Sequence, residues 1–351
     1  MSNPVVVEAW RGERVESAHR GSGVAVDADG AVVMAFGDVE RAVYPRSAVK
    51  ALQALPLIES GAADQLGLTA REIALACASH SGEEAHVALA RAMLARAGRD
   101  ERALECGAHW PLGERAARAL ARSGAVPSAL HNNCSGKHAG FICIACAHGI
   151  DPKGYTAPDH PVQREVAAAI ANVTQARLDE DMRAIDGCSI PAYAIPLKAL
   201  ALGFARFGAG RRFTTARGKA AARIRAAVAA HPGMVAGPGR FDTEIMTILG
   251  GRAFTKSGAE GVYCAALPEL GLGVAVKADD GAGRAAQVMM AALLDRLGGF
   301  DEGLRAKLAP FVQPRLVNWS GIAVGVLRAA GPAVCPASAT AQPPEPHDPA
   351  R

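Results

Sequence analysis

The sequence predicts an α+β protein of mixed layers, in which an antiparallel sheet is built from both termini around a large helical insertion at about residues 62–250. Three observations carry this. Apolar residues alternate at 5–10, 23–26 and 31–35, with Asp27, Asp29 and Gly30 as turn residues between the last two, the pattern of strands joined by a hairpin. Sheet character returns late, at 253–256, 261–267 and 273–277, with PELG as the turn between the last pair. Between these ends the apolar spacing is helical.

The first helix is predicted from Ser47 through SAVKALQALPLIESG, kinked near Pro56 and stopped at Gly61. Thr69 and Glu72 form a capping box for the next one. Further helices are predicted at 82–97, at 134–148 before Gly149, at 162–173, 196–207, 216–230 and 242–249, and after the late strands at 283–297. No internal repeat is present. Residues 332–351 are rich in Pro and Ala and lack periodic apolar positions, so they are expected to form a disordered tail, leaving 1–331 as one domain.

Half of the 351 residues are apolar, enough for a substantial core. The net charge of +4 comes from arginines scattered among acidic residues, so no nucleic-acid partner is expected. The longest apolar runs are interrupted by Pro, Lys and Gly, so no membrane partner is expected either. The opening MSNPVVVEAWRGERVES lacks a basic leader followed by an apolar stretch, which makes the cytoplasm the expected location. In a reducing compartment eight irregularly spaced cysteines are thiols or metal ligands. Cys77, Cys106, Cys143, Cys146 and Cys264 read as core thiols. His80, His86, His109 and His131 have no zinc-protease spacing and are assigned no metal.

Ser47 and Lys50 form SxxK at a predicted helix start, where both side chains project from one turn. A serine hydroxyl is a weak nucleophile until a base takes its proton, and a lysine whose charge is disfavoured by burial or by a second cation is such a base. Ser79 in CASHSG and Lys256 in FTKSGAEG supply a second hydroxyl and amine. SxxK, then a serine, then Lys-Ser-Gly on a strand is the order that serine β-lactamases and penicillin-binding proteins use for acyl transfer. Taken singly, SxxK reads better as an N-capping serine with a solvated lysine, Ser79 as a helix cap and Lys256 as an exposed strand charge.

HNNCSGKHAGF places Cys134, Lys137 and His138 within about a turn, and AIDGCSIPAY supplies Asp186 and Cys188. Two thiolates suit a borderline-soft cation such as zinc. Lysine is an unusual ligand because its amine must first lose a proton, so on spacing alone buried unreactive thiols are the better reading of both cysteines.

The blocks YPRSAVKALQALPLIESGAAD, ASHSGEEAH, HNNCSGKHAGF, DGCSIPAYAIPL, VAGPGRFDTEIM and KSGAEGVYCAALPELGLGVAVKADDG resemble the Rhizobium etli-type L-asparaginase family, over about 5–327. The resemblance implies a fold similar to serine β-lactamases and penicillin-binding proteins, a homodimer, and hydrolysis of L-asparagine to L-aspartate and ammonia. By motif position it implies Ser47 as nucleophile with Lys50 as partner, Ser79 and Lys256 as the second pair, and Cys134, Lys137 and Cys188 as zinc ligands. Asp186, Arg46 and His138 are implied around the substrate. Which lysine is the neutral base stays open. Two other readings remain: another acyl-serine amidohydrolase of β-lactamase type, and a non-catalytic zinc-binding homologue.

Overall fold

A computed structural model describes residues 2–333 of the chain. Of the tail expected to be disordered at 332–351, Pro332 and Ala333 instead close the 3-10 turn Gly331–Ala333, with Ala333 buried, and the rest lies outside the described residues. Eight strands form the main sheet: β1 Val5–Arg11, β2 Arg14–Asp27, β3 Val32–Phe36, β4 Phe254–Ser257, β5 Val262–Leu267, β6 Leu272–Ala278, β7 Arg315–Val317 and β8 Ala323–Ala329. Their order is β7-β8-β1-β2-β6-β5-β4, with β3 also on β2, and every pairing is antiparallel. The two ends of the chain are therefore interleaved in one sheet, as the strand character at both ends predicts.

The sheet is covered on both faces. Val24, Val26, Cys264, Ala266 and Ala275 enter one apolar cluster with the helices of the insertion. The alternate residues Ala25, Tyr263, Ala265, Val274 and Val276 enter a second with later helices. This is why VYCAAL in β5 reads as a nearly continuous apolar run: all six of its residues are buried. The helices are α1 Lys50–Gln53, α2 Leu55–Glu59, α3 Ala70–Ala76, α4 Glu84–Arg96, α5 Ser135–Ala147, α6 Pro161–Thr174, α7 Leu197–Ala209, α8 Thr215–Ala230 and α9 Phe241–Leu249, followed by α10 Gly283–Leu297 and α11 Glu302–Val312 on the second face, with shorter turns between. No described helix is long and apolar enough to cross a membrane. The capping box of α3 is present, with Thr69 N–H donating to Glu72 Oε2 at 2.7 Å.

Several elements differ from expectation. The chain breaks at Ala54, and Pro56 lies in the first turn of α2, where its missing N–H costs nothing, rather than kinking a continuous helix. Ser47 lies in the 3-10 turn Arg46–Val49 that precedes α1. β2 starts at Arg14, well before the alternating stretch, because RVESAHR is mostly solvent-facing and its pairing with β1 leaves no apolar signal. The helix Glu114–Arg122 buries only Ala116, and the hairpin Arg183–Ile185 with Pro191–Tyr193 is too short to show a period. α11, β7 and β8 were likewise not anticipated: α11 carries an internal Pro310, and β7 spans three residues.

Helix α7 lies almost on the backbone of β6. A Cβ at Gly273 would collide with Ala201 O and Ala205 N, so only glycine permits this approach. Gly273→Ala is expected to cost about 1–3 kcal/mol of unfolding free energy by overpacking, measured by denaturant titration. Gly251→Ala, whose added Cβ meets nothing within 4 Å, is the matched control and should stay near wild type.

Candidate active site

The site forms where the end of strand β4 meets the turn before α1. A Cβ at Gly258 would stand 2.5 Å from Pro45 O, so the Lys-Ser-Gly strand end lies directly against the Pro-Arg-Ser segment. Arg46 takes φ of 51°, a left-handed conformation that is strained for a residue with a long side chain. The surrounding contacts hold it there: Arg46 Nε donates to Asp186 Oδ1 at 2.5 Å, and Ala48 N–H donates to Pro45 O at 2.9 Å. This bend presents Ser47, partly exposed, to a cleft of about 370 Å³ that is also lined by Ser79, Cys134, Asp186 and Ser257.

Under the cleft floor two lysines meet one serine. Lys50 Nζ donates to Ala78 O at 2.6 Å, Ser79 Oγ at 3.0 Å and Cys134 Sγ at 3.1 Å. Lys256 Nζ approaches the same Ser79 Oγ at 2.9 Å and donates to Ser257 O at 2.9 Å. Both lysines are 0% exposed. Ser79 itself is held by its N–H, which donates to Val235 O at 2.8 Å. Burial pushes the Lys256 amine down to about 7, helped by the Lys50 charge and opposed by Asp242. The two hydroxyl-amine couples expected from sequence thus share one hydroxyl: Lys50 reaches Ser79 and Cys134 rather than Ser47.

Nothing in the sequence singles out Asp242, which reads as an ordinary acidic residue in the first turn of a helix. Its carboxylate is 1% exposed. It accepts from Ser257 Oγ at 2.7 Å and Ser257 N–H at 3.1 Å, and stands 3.9 Å from Lys256 Nζ. Asn132 is likewise unmarked. Its side-chain oxygen accepts from Cys134 N–H at 2.8 Å and its amide donates to Cys106 O and Gly107 O, pinning the start of α5. His109 reaches the cleft and accepts from Asn133 N–H at 3.0 Å.

The sulfur and amine groups predicted as ligands converge. Cys134 and Cys188 lie within hydrogen-bonding reach of one another, and Lys137 Nζ stands 3.1 Å from Cys188 Sγ. The hydrogen bond from Cys188, with the nearby Lys50 and Lys137 charges, overcomes burial and holds the Cys134 thiol well below its ordinary range. Cys188 is pushed up in turn, as the donor of that bond and by burial. Burial acts to lower Lys137, but the charges of Cys188, Cys134 and Asp186 outweigh it and raise the amine. This donor set fits a thiophilic dication, whose binding would release protons from Cys188 and Lys137. Among the described residues no three His, Cys, Asp or Glu side chains form a metal-holding group, so the set depends on Lys137.

Asp186 is held below the usual carboxylate range: burial opposes this, but Lys137 and the Arg46 guanidinium outweigh it. His138 is fully buried. Its Nδ1 pairs with Tyr155 Oη at 2.7 Å, and its Nε2 has no protein partner. It therefore supports the wall behind Lys137 rather than facing the cleft. Cys77, Cys106, Cys143 and Cys264 are buried, as their apolar surroundings predict, whereas Cys146 is only partly so. His80 and His86 stack with ring centroids 5.0 Å apart.

Among solved structures, the chain is similar to a beta-lactamase from Mycobacterium bovis, at 14% identity and a TM-score of 0.41, over 83% of this chain and 94% of that one. It is also similar to a mutant of simvastatin synthase from Aspergillus terreus, at 13% identity and a TM-score of 0.31, over 74% of this chain and 86% of that one. No curated protein sequence matches it. The family model for L-asparaginase II matches residues 7–329, a span that includes every strand of the sheet but the first residues of β1 and every group of the site. The chain belongs to the L-asparaginase II family.

Proposed function

We propose that the protein is an L-asparaginase that hydrolyses L-asparagine through an acyl-serine intermediate. The observation that carries this reading is the Ser79 hydroxyl lying between two fully buried amines, Lys50 at 3.0 Å and Lys256 at 2.9 Å, beneath a cleft that Ser47 enters. Family membership supports an amide hydrolase. One buried carboxylate, Asp242 at 3.9 Å from Lys256 Nζ, faces two buried amines, an arrangement that favours one uncharged amine.

In the proposed mechanism Lys256, poised near 7, is the final proton acceptor. When Lys256 is the free amine, the Ser79 hydroxyl donates to it and accepts from Lys50. A proton passing from Lys50 through Ser79 to Lys256 frees the Lys50 amine, which takes the Ser47 proton on turning from Cys134 toward Ser47 in the substrate complex. Ser47 Oγ then attacks the side-chain carbonyl carbon of asparagine. The C–N bond breaks as the leaving nitrogen takes a proton from the lysine chain, releasing ammonia and leaving an aspartyl ester on Ser47. Water, deprotonated by the same chain, attacks the ester to release L-aspartate and restore the Ser47 hydroxyl.

Asp186, below its usual range and paired with Arg46, provides a carboxylate at the cleft wall for a substrate ammonium. Cys134, Lys137 and Cys188 would hold zinc. When bound, that ion supplies a fixed electrophilic point that orients substrate. Cys134 also accepts from Lys50, so one side chain belongs to both the thiol cluster and the amine chain.

Ammonia release from L-asparagine is the direct test, and Ser47→Ala should lower it by about a thousandfold or more. Retention of wild-type turnover in that variant would exclude the mechanism. Because the required form of Lys256 is uncharged, kcat/KM should rise with pH through about 7 and be lost below it. Asp242 raises the Lys256 value, so Asp242→Asn should move this acid limb to lower pH, which a pH–rate profile reads directly. Elemental analysis should find zinc in the purified protein, and Cys188→Ser should lose most of it while keeping its far-ultraviolet circular dichroism.

A further inference from the structure

We propose that Arg240 forms a carboxylate subsite that reads the α-carboxylate of the substrate, restricting the enzyme to free amino-acid amides. This deepens the asparaginase reading above and rests on it for the identity of the substrate. The cleft has several cations nearby, and all but one are already engaged. Arg46 is paired with Asp186 at 2.5 Å. Lys50 and Lys256 are fully buried and committed to Ser79, and Lys137 donates to Cys188. A dication on Cys134 and Cys188 would be largely balanced by two thiolates and the neighbouring Asp186.

Arg240 lines the same cleft as Ser47, Ser79 and Ser257, yet no carboxylate among the described residues pairs with its guanidinium. The acidic residues nearest in sequence are turned to other work. Asp242 accepts from Ser257, and Glu244 accepts from Gly239 N–H at 3.1 Å. The position of Arg240 is nevertheless fixed. It is the N-cap residue just before α9, its N–H donates to Gly237 O at 3.3 Å, and two residues on Asp242 ties the helix start to the Lys-Ser-Gly strand. Arg240 is only partly exposed and lies on the wall of the cleft that Ser47, Ser79 and Ser257 share.

An unpaired guanidinium in a small cleft is matched by a carboxylate, which it binds through a planar two-pronged fork. L-Asparagine carries one such group at neutral pH. A peptide-linked asparagine lacks it and would leave Arg240 desolvated and unpaired.

The test compares L-asparagine with 3-aminopropanamide, the same molecule without its α-carboxylate, by titration calorimetry against Ser47→Ala protein with and without Arg240→Met. With Arg240 present, deleting the carboxylate should weaken binding by roughly ten- to hundredfold. With Arg240→Met that penalty should fall to less than about threefold, and Arg240→Lys should keep part of it. An equal melting temperature for each variant shows that the fold is intact. The same penalty with and without Arg240, or no binding of L-asparagine to the Ser47→Ala protein, would overturn the subsite. Arg240-dependent discrimination in a protein whose wild type releases no ammonia would sink the catalytic reading and leave the subsite standing.

Discussion

Two lysine amines sealed under a cleft around one serine hydroxyl are the constraint on which the rest of this structure depends. Burying an ammonium costs several kcal/mol even after relaxation, and the protein answers that cost differently for each amine. Lys256 lowers its proton affinity to about 7, within reach of the uncharged state. Lys50 is given three acceptors, a backbone carbonyl, the Ser79 hydroxyl and the Cys134 sulfur. Neither arrangement survives alone, because Ser79 is common to both. Its position requires the end of α3, the start of α5 and the edge of the sheet to be in place together.

The fold meets that requirement through close backbone approaches rather than through long side chains. Gly258 lets the end of β4 rest against Pro45, and Gly273 lets α7 settle on β6. The strained turn at Arg46 follows Pro45 directly, and its ion pair with Asp186 connects it to the loop that carries Cys188. Cys134 then joins the thiol cluster to Lys50. Changes at the sulfur cluster are therefore felt electrostatically by the amines, and the two parts of the cleft behave as one charged unit.

Much of this was legible in the sequence, for reasons that differ by element. β5 and β6 declared themselves because a doubly covered sheet demands unbroken apolar strands, and α3 because Thr69 and Glu72 cap it. Ser47, Ser79, Lys256 and the Cys134–Lys137–Cys188 group could be brought together only by an ordered set of motifs, since no spacing rule links residues that far apart. Three features left no local trace. β2 begins among polar residues that face solvent, Asp242 looks like any helix-start acid, and Arg240 looks like any surface arginine. Their roles arise from what lies across the cleft. The sharing of Ser79 by both lysines was likewise invisible, because SxxK spacing suggests a partner within the turn.

The interleaving of both chain ends in one sheet also bears on how the protein is made. Strands β1 to β3 leave the ribosome before the long helical segment and well before β4 to β8 exist to pair with them. For that interval β2 has an open edge along residues 21–27, which later belongs to β6. Exposed strand edges invite pairing with other nascent chains. Synthesis rate and chaperone access over that interval, rather than the stability of the finished molecule, would then govern how much active protein a cell obtains.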